Sequence, residues 1–170
     1  MAKRQRLEVV DALYEAAETP AHWSVALRQL TVLVDARAAG VRVEGRDGVR
    51  QNWVGLEPAF ERAYVEHYWR EDPWATPVHH APVGMVGHGD ALAARATVER
   101  SAFHNELAQP FELDDLAGGL LDRSAARVIS FGVMKGLGHR FTHREDQLLQ
   151  HLAPHLRRAL SLSERLHGEH

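Results

Sequence analysis

Two pairs of strand-period segments, residues 38–44 with 49–54 and 115–121 with 127–134, each close on themselves through a few turn residues. No other feature restricts the fold as much, because short connections join antiparallel neighbours while parallel strands need a crossover of a dozen residues or more. In the first pair, Val41 and Val43 alternate with Arg42 and Glu44, and Gly45-Arg46-Asp47-Gly48 supplies the turn, with Asp-Gly as its sharpest signal. In the second pair, Ile129, Phe131 and Val133 alternate with Val128, Ser130 and Gly132, and Asp122-Arg123-Ser124-Ala125 makes the connection. Both sets of that strand suit a covered face, which predicts a central position in the sheet.

Helical periodicity surrounds the strands. Leu7, Val10, Leu13 and Ala17 predict a helix over 3–18. Thr19 as cap and Pro20 in first position start a second, with Trp23, Leu27, Leu30 and Val34 on one face. A third runs over 57–70, where Phe60, Ala63, Tyr64, His67 and Tyr68 form one stripe. Residues 72–90, with Pro73, Pro77, Pro82, Gly84, Gly87 and Gly89, read as a long irregular segment with a short edge strand at 83–86; such loops tend to carry function. Asp90 is placed to cap a short helix ending at Arg95, and a helix over 98–109 stops at Pro110. The last helix opens with the capping box Thr142-His143-Arg144-Glu145 and continues to about His167. Pro154 inside it predicts a kink, at about 3 kcal/mol unless packing compensates. The acid pairs Asp114-Asp115 and Glu145-Asp146 read as turn and helix-start residues.

The order α-α-β-β-α-loop-α-β-β-α predicts an α+β fold: a central antiparallel β-sheet with flanking helices and a long C-terminal helix, the plan of PAS-like and GAF-like sensory domains. Residues 1–170 read as one such domain, of a size that buries about 70% of its unfolded surface. The 45% apolar and 25% charged content is that of a globular chain rather than a disordered one.

Several functions are excluded or disfavoured. With no cysteine there is no disulfide, thiolate zinc site or cysteine nucleophile. Glu8, Asp11 and Glu15 interrupt any leader after the basic N-terminus, and no run reaches the ~20 apolar residues that span a membrane, so a cytoplasmic protein is expected. A net charge of −3 argues against holding DNA as the main task. There is no G-x-S-x-G elbow and no P-loop, and Gly84-Met85-Val86-Gly87-His88-Gly89 lacks the G-x-G-x-x-G order. The chain is therefore read as a non-enzyme without a cofactor, and a small enzyme ranks last. The 12 histidines include His151 and His155, four apart on a helix, and His139 and His143; either pair is half of a metal site. No third ligand stands beside them, so solvated surface histidine is the plainer reading and no metal ligand is assigned.

The candidate site is aromatic. Phe60, Tyr64 and Tyr68, with Trp53 and Trp74, suit the wall of an apolar pocket, and Asp72 at the junction of helix and loop suits a hydrogen-bond acceptor. The competing reading is core packing of a helix on a sheet, with Asp72 making the turn before Pro73.

Four segments carry a family resemblance: 9–17 followed by Pro20 and Trp23; Tyr64-Val65-Glu66-His67-Tyr68 followed by Asp72-Pro73-Trp74; 100–107; and Phe141-Thr142 with Glu145-Asp146 and 152–160. In this order they resemble the N-terminal sensory region of LuxR-type transcriptional regulators, over almost the whole chain. The resemblance implies a small organic effector, a homodimer, and contact with DNA only through a helix-turn-helix domain, which is not present in this chain. A sensor fragment, or a member acting through a partner, is expected. In the lactone-binding branch, a Trp and a Tyr one helical turn apart precede Asp-Pro. Here Phe60 replaces that Trp, and the spacing from Tyr64 to Asp72 is one residue shorter, so only Tyr64 and Asp72 carry over as polar contacts. Two alternatives stay open: a constitutive dimerisation domain without ligand, and a histidine-based haem or metal sensor.

Overall fold

The structure, a computed structural model, describes residues 2–168; Met1, Glu169 and His170 lie outside the described residues, and with them the reading of where the chain ends. The helices are α1 (Ala2–Glu18), α2 (Trp23–Leu33), α3 (Pro58–Glu66), α4 (Ala75–His80), α5 (Arg95–Arg100) and α6 (His143–His167). The strands are β1 (Ala38–Gly45), β2 (Gly48–Val54), β3 (Val86–His88), β4 (Leu113–Arg123) and β5 (Arg127–Gly136). They form one antiparallel sheet in the order β2-β1-β5-β4-β3, with β5 in the centre. The fold is α+β, as the sequence predicts.

The hairpin closes at Arg46-Asp47, with Gly45 opposite Gly48 and Gly48 at φ +119°, a conformation that favours glycine. The Thr142 side chain accepts from the Glu145 N–H at 3.1 Å while the Glu145 carboxylate accepts from the Thr142 N–H, so the capping box of α6 is complete. The helix continues through Pro154, which lies on its exposed side.

Elsewhere the local predictions need correction. The third helix ends at Glu66, because His67 leaves the helical region (φ −145°, ψ −56°) and a 3₁₀ turn, Tyr68–Glu71, follows. The 72–90 segment is partly regular: α4 holds Pro77 in its first turn, where no N–H is needed, and β3 begins at Val86, where the expected edge strand ends. Thr19 makes no side-chain cap, and Pro20 opens a 3₁₀ turn ahead of α2. Asp90 sits in a 3₁₀ turn, and its carboxylate accepts the N–H of Arg95, the first residue of α5. The helix expected over 98–109 is instead α5 and a separate π-helical turn, Phe103–Ala108.

The sheet separates two cores. Ala39 and Val41 of β1, with Ile129 and Val133 of β5, face α1, α2 and α6, where Leu13, Leu27, Leu30, Leu149, Leu152 and Leu156 are at most 1% exposed. On the other face, Ala38, Leu113 and Met134 pack with Phe60, Trp74 and Phe103.

Several side-chain contacts fasten α6 to the sheet. Buried Lys135 of β5 donates to the carbonyls of Val34 and Asp35 and to Glu145 at 2.8 Å, joining the end of α2 to the start of α6. The Gln150 amide accepts from the Val86 N–H at 2.8 Å and donates to the Gly84 carbonyl at 2.5 Å, along the outer side of β3. Glu164 accepts from Arg50 of β2 at 2.6 Å and Arg127 of β5 at 2.7 Å.

Candidate functional site

The second face holds a half-open cavity of about 220 Å³ between β1, β2 and β5 on one side and α3 and α4 on the other. Its floor follows from the register. Trp53 lies opposite Gly40, Gly40 opposite Gly132, Gly132 opposite Gly118, and Gly118 opposite Gly87, so four glycines cross four strands in one row. Directly paired residues share a face, so the row lies on the cavity side of the sheet, and Gly40 and Gly132 of it line the cavity. The Trp53 indole fills part of that trough: a Cβ on Gly40 would overlap it, and one on Gly132 would lie 3.2 Å from its Cη2. Trp53 Nε1 donates to Gln51 at 3.0 Å.

Of the residues expected to form a site, Trp53, Phe60, Tyr64, Asp72 and Trp74 line this cavity together. Tyr68 does not line it. The helical spacing that put Tyr68 on the stripe lapses when α3 stops at Glu66, and its hydroxyl donates to Glu106 at 3.1 Å. Its exposed neighbour Trp69 lines the cavity instead.

Phe103, which sequence reasoning passed over, is the hub of the aromatic wall. Its ring meets Phe60, Tyr64 and Trp74 edge to face at centroid distances of 6.4, 6.0 and 5.8 Å. The π-helical turn at 103–108 carries it, and such turns are frequent at functional sites.

The polar part of the wall is a chain of contacts. The Tyr64 hydroxyl donates to Asp72 Oδ2 at 2.8 Å, and the Trp74 backbone N–H donates to Oδ1 at 2.9 Å. Burial pushes the Tyr64 hydroxyl well above its ordinary range, and the adjacent Asp72 charge adds to the effect. Burial also raises the Asp72 carboxyl, against the lowering effect of the Tyr64 and Trp74 hydrogen bonds and the Arg42 charge. Arg42 pairs with Glu44 at 2.8 Å beside them. Arg42 and Glu44, which the sequence marks only as alternating with Val41 and Val43, also line this cavity.

Trp74 also lines a second cavity of about 370 Å³, with Arg95, Asp115 and Arg140. The pair read as turn residues is buried here: Asp114 and Asp115 are 3% and 2% exposed. Asp114 accepts from Arg95 at 2.6 Å, Arg140 at 2.7 Å and the Gly138 N–H at 3.1 Å. Burial alone would raise its pKa, but the arginine hydrogen bonds outweigh burial and hold the carboxyl below its ordinary range. These contacts occupy Asp114 in structure.

Among the described residues, no group of three or more His, Asp or Glu is placed to hold a metal ion. His155 Nδ1 lies 3.2 Å from both the Tyr14 hydroxyl and Arg158 Nη2. Burial, followed by the charges of Arg158 and His151, lowers its pKa. No helix among the described residues is long and apolar enough to cross a membrane.

No family model and no curated protein matches the sequence. Solved structures do match its shape. The LBD domain of VqsR from Pseudomonas aeruginosa superposes with a TM-score of 0.74 at 15% identity, covering 96% of this chain and 97% of that one. The LuxR-family transcription factor CepR2 from Burkholderia cenocepacia gives 0.62 at 15%, covering 95% and 97%. The GAF domain of a phosphoenolpyruvate-protein phosphotransferase from Coxiella burnetii gives 0.60 at 13%, covering 97% of each. The chain thus has the α+β, GAF-like fold shared by LuxR-type ligand-binding domains.

Proposed function

We propose that this chain is a ligand-sensing regulatory domain of LuxR type, acting in the cytoplasm without catalysis of its own. A small organic effector enters the cavity between the sheet and α3. The observation that carries this reading is the cavity itself: an aromatic wall around one ordered polar pair, Tyr64 and Asp72. Pockets that are mostly apolar with a few fixed polar groups are the common form of small-molecule sites. CepR2, of the same fold, is an N-acylhomoserine lactone dependent transcription factor, which supports the class of function.

Trp53, Phe60 and Trp74 supply apolar area, and Tyr64 and Asp72 fix orientation. Tyr68, through Glu106, braces the 3₁₀ turn beside the cavity. The output is a shift of α6 that alters a homodimer or the pose of a DNA-binding domain. Leu7 of α1 and Leu166 of α6 are 54% and 52% exposed, apolar surface available for such a dimer.

The test is calorimetric titration of the purified chain with a panel of neutral effectors that includes an N-acylhomoserine lactone. At least one should bind saturably, and Tyr64→Phe with Asp72→Asn should weaken that ligand at least about tenfold. Unchanged affinity in the double variant removes these two residues from the site.

A further inference from the structure

Away from the cavity, α1 and α6 carry opposite charge on their outer sides. On α1, Glu8, Asp11, Glu15 and Glu18 follow one another at spacings of three, four and three, all exposed, with no base between them. Lys3, Arg4 and Arg6 precede that stripe. On α6, Arg144, His151, Arg158 and Arg165 recur every seven residues, all exposed. The carboxylates of α6 lie on its other sides and are occupied: Glu145 pairs with Lys135, Asp146 with His88, and Glu164 with Arg50 and Arg127. Among the described residues, no ion pair engages a carboxylate of the α1 stripe or an arginine of the α6 stripe.

The two helices lie side by side and run in the same direction. The Tyr14 hydroxyl is 3.2 Å from His155 Nδ1 and accepts from Arg158 Nε at 3.0 Å, and one turn further on His167 Nε2 is 2.8 Å from the Glu18 carbonyl. An apolar seam runs between the stripes. Leu7 and Val10 share the side of α1 that carries Tyr14, and Leu148 and Leu162 share the side of α6 that carries His155. Leu7, and Leu166 at the far end of the seam, are 54% and 52% exposed. Helix-to-helix interfaces have this pattern, apolar along the middle and charged on the flanks.

A second copy of the chain fits this surface in one orientation. A two-fold axis along the seam lays seam on seam and sets α1 of each copy over α6 of the other, acid on base at both contacts. An axis across the helices sets α1 over α1 and α6 over α6, like charge on like. We infer that the chain pairs with a second copy of itself through α1 and α6, with the helices parallel and the acidic stripe of each α1 against the basic stripe of the other copy's α6. This rests on the homodimer of the sensory reading and goes beyond it by naming the surface and its geometry. Its test reads assembly, whereas the sensory reading is tested by ligand binding.

Sedimentation equilibrium on the purified chain and two charge-reversed variants tests it. The unaltered chain should be dimeric at about 100 μM, and its dimer should weaken several-fold when salt is raised to about 1 M, where the screening length is about 3 Å. Glu15→Lys with Glu18→Lys, and separately Arg158→Glu with Arg165→Glu, should each weaken the dimer at least about tenfold, because like charge then meets like. Mixing the two variants should restore a dimer made of one copy of each, since both contacts are again acid on base. All four positions are exposed, and the salt dependence of the unaltered chain stands whether or not a variant folds. A monomeric unaltered chain, a dimer indifferent to salt or to both reversals, or folded variants that stay monomeric when mixed overturns the inference and leaves the cavity reading untouched.

Discussion

The two faces of one sheet are packed in opposite ways. Against α1, α2 and α6, long helices set aliphatic side chains into alternate strand positions, and the leucines there are closed to solvent. Against α3, α4 and α5, the helices have nine residues or fewer, aromatic rings join the leucines, and Gly40 and Gly132 withhold side chains that would fill the gap. A cavity can thus be made by subtraction from one face while the other face secures the fold, because successive strand residues point to opposite sides.

The largest test of that difference is a pair of truncations. Leu152→Ala, on the closed face, should cost about 2–5 kcal/mol in urea unfolding, and Met134→Ala, beside the cavity, clearly less, since its surroundings already include open space. Equal losses would mean that the faces do not differ in packing. A smaller effect is expected for Gly40→Ala. The new methyl must push the Trp53 indole out of the trough, at about 1–3 kcal/mol, with a change in tryptophan emission. Unaltered emission would show that Trp53 is not seated on Gly40.

The smallest effects are in pH dependence, and the faces differ in direction. The raised pKa of Tyr64 gives a stabilisation that is complete below its unfolded value of 10.0 and is lost as pH rises past it; Tyr64→Phe should flatten the alkaline limb of Tm against pH. On the closed face, the lowered pKa of His155 gives a contribution that is complete above 6.5 and is lost as pH falls, so His155→Gln should flatten the acid limb only. A single limb that responds to both variants would break the assignment.

The sequence reveals most where the signal is local. Asp-Gly at 47–48 and Thr-x-x-Glu at 142–145 place a turn and a helix start because the residues act on their own backbone. The central position of β5 is also legible, since both of its residue sets suit cover. The site is legible only in part. Periodicity groups Phe60 with Tyr64, but it carries the stripe on to Tyr68 because nothing in His67 announces that the helix ends there. Phe103, Arg42 and the glycine row belong to the site through strand register and a distant turn. A single sequence does not show which glycine faces which until the strands are paired.

Gln150 has a consequence outside the cavity. Its amide offers the outer side of β3 one acceptor and one donor, much as the peptide group of another strand would, so an extended segment arriving there finds those positions taken. The outer side of β2 is different: it is a solvent-facing edge with residues 48–52 exposed. A fibre that grows by strand addition needs both ends of the sheet free. With one end stopped by a side chain on a helix, edge-to-edge association through β2 closes at two copies and cannot propagate.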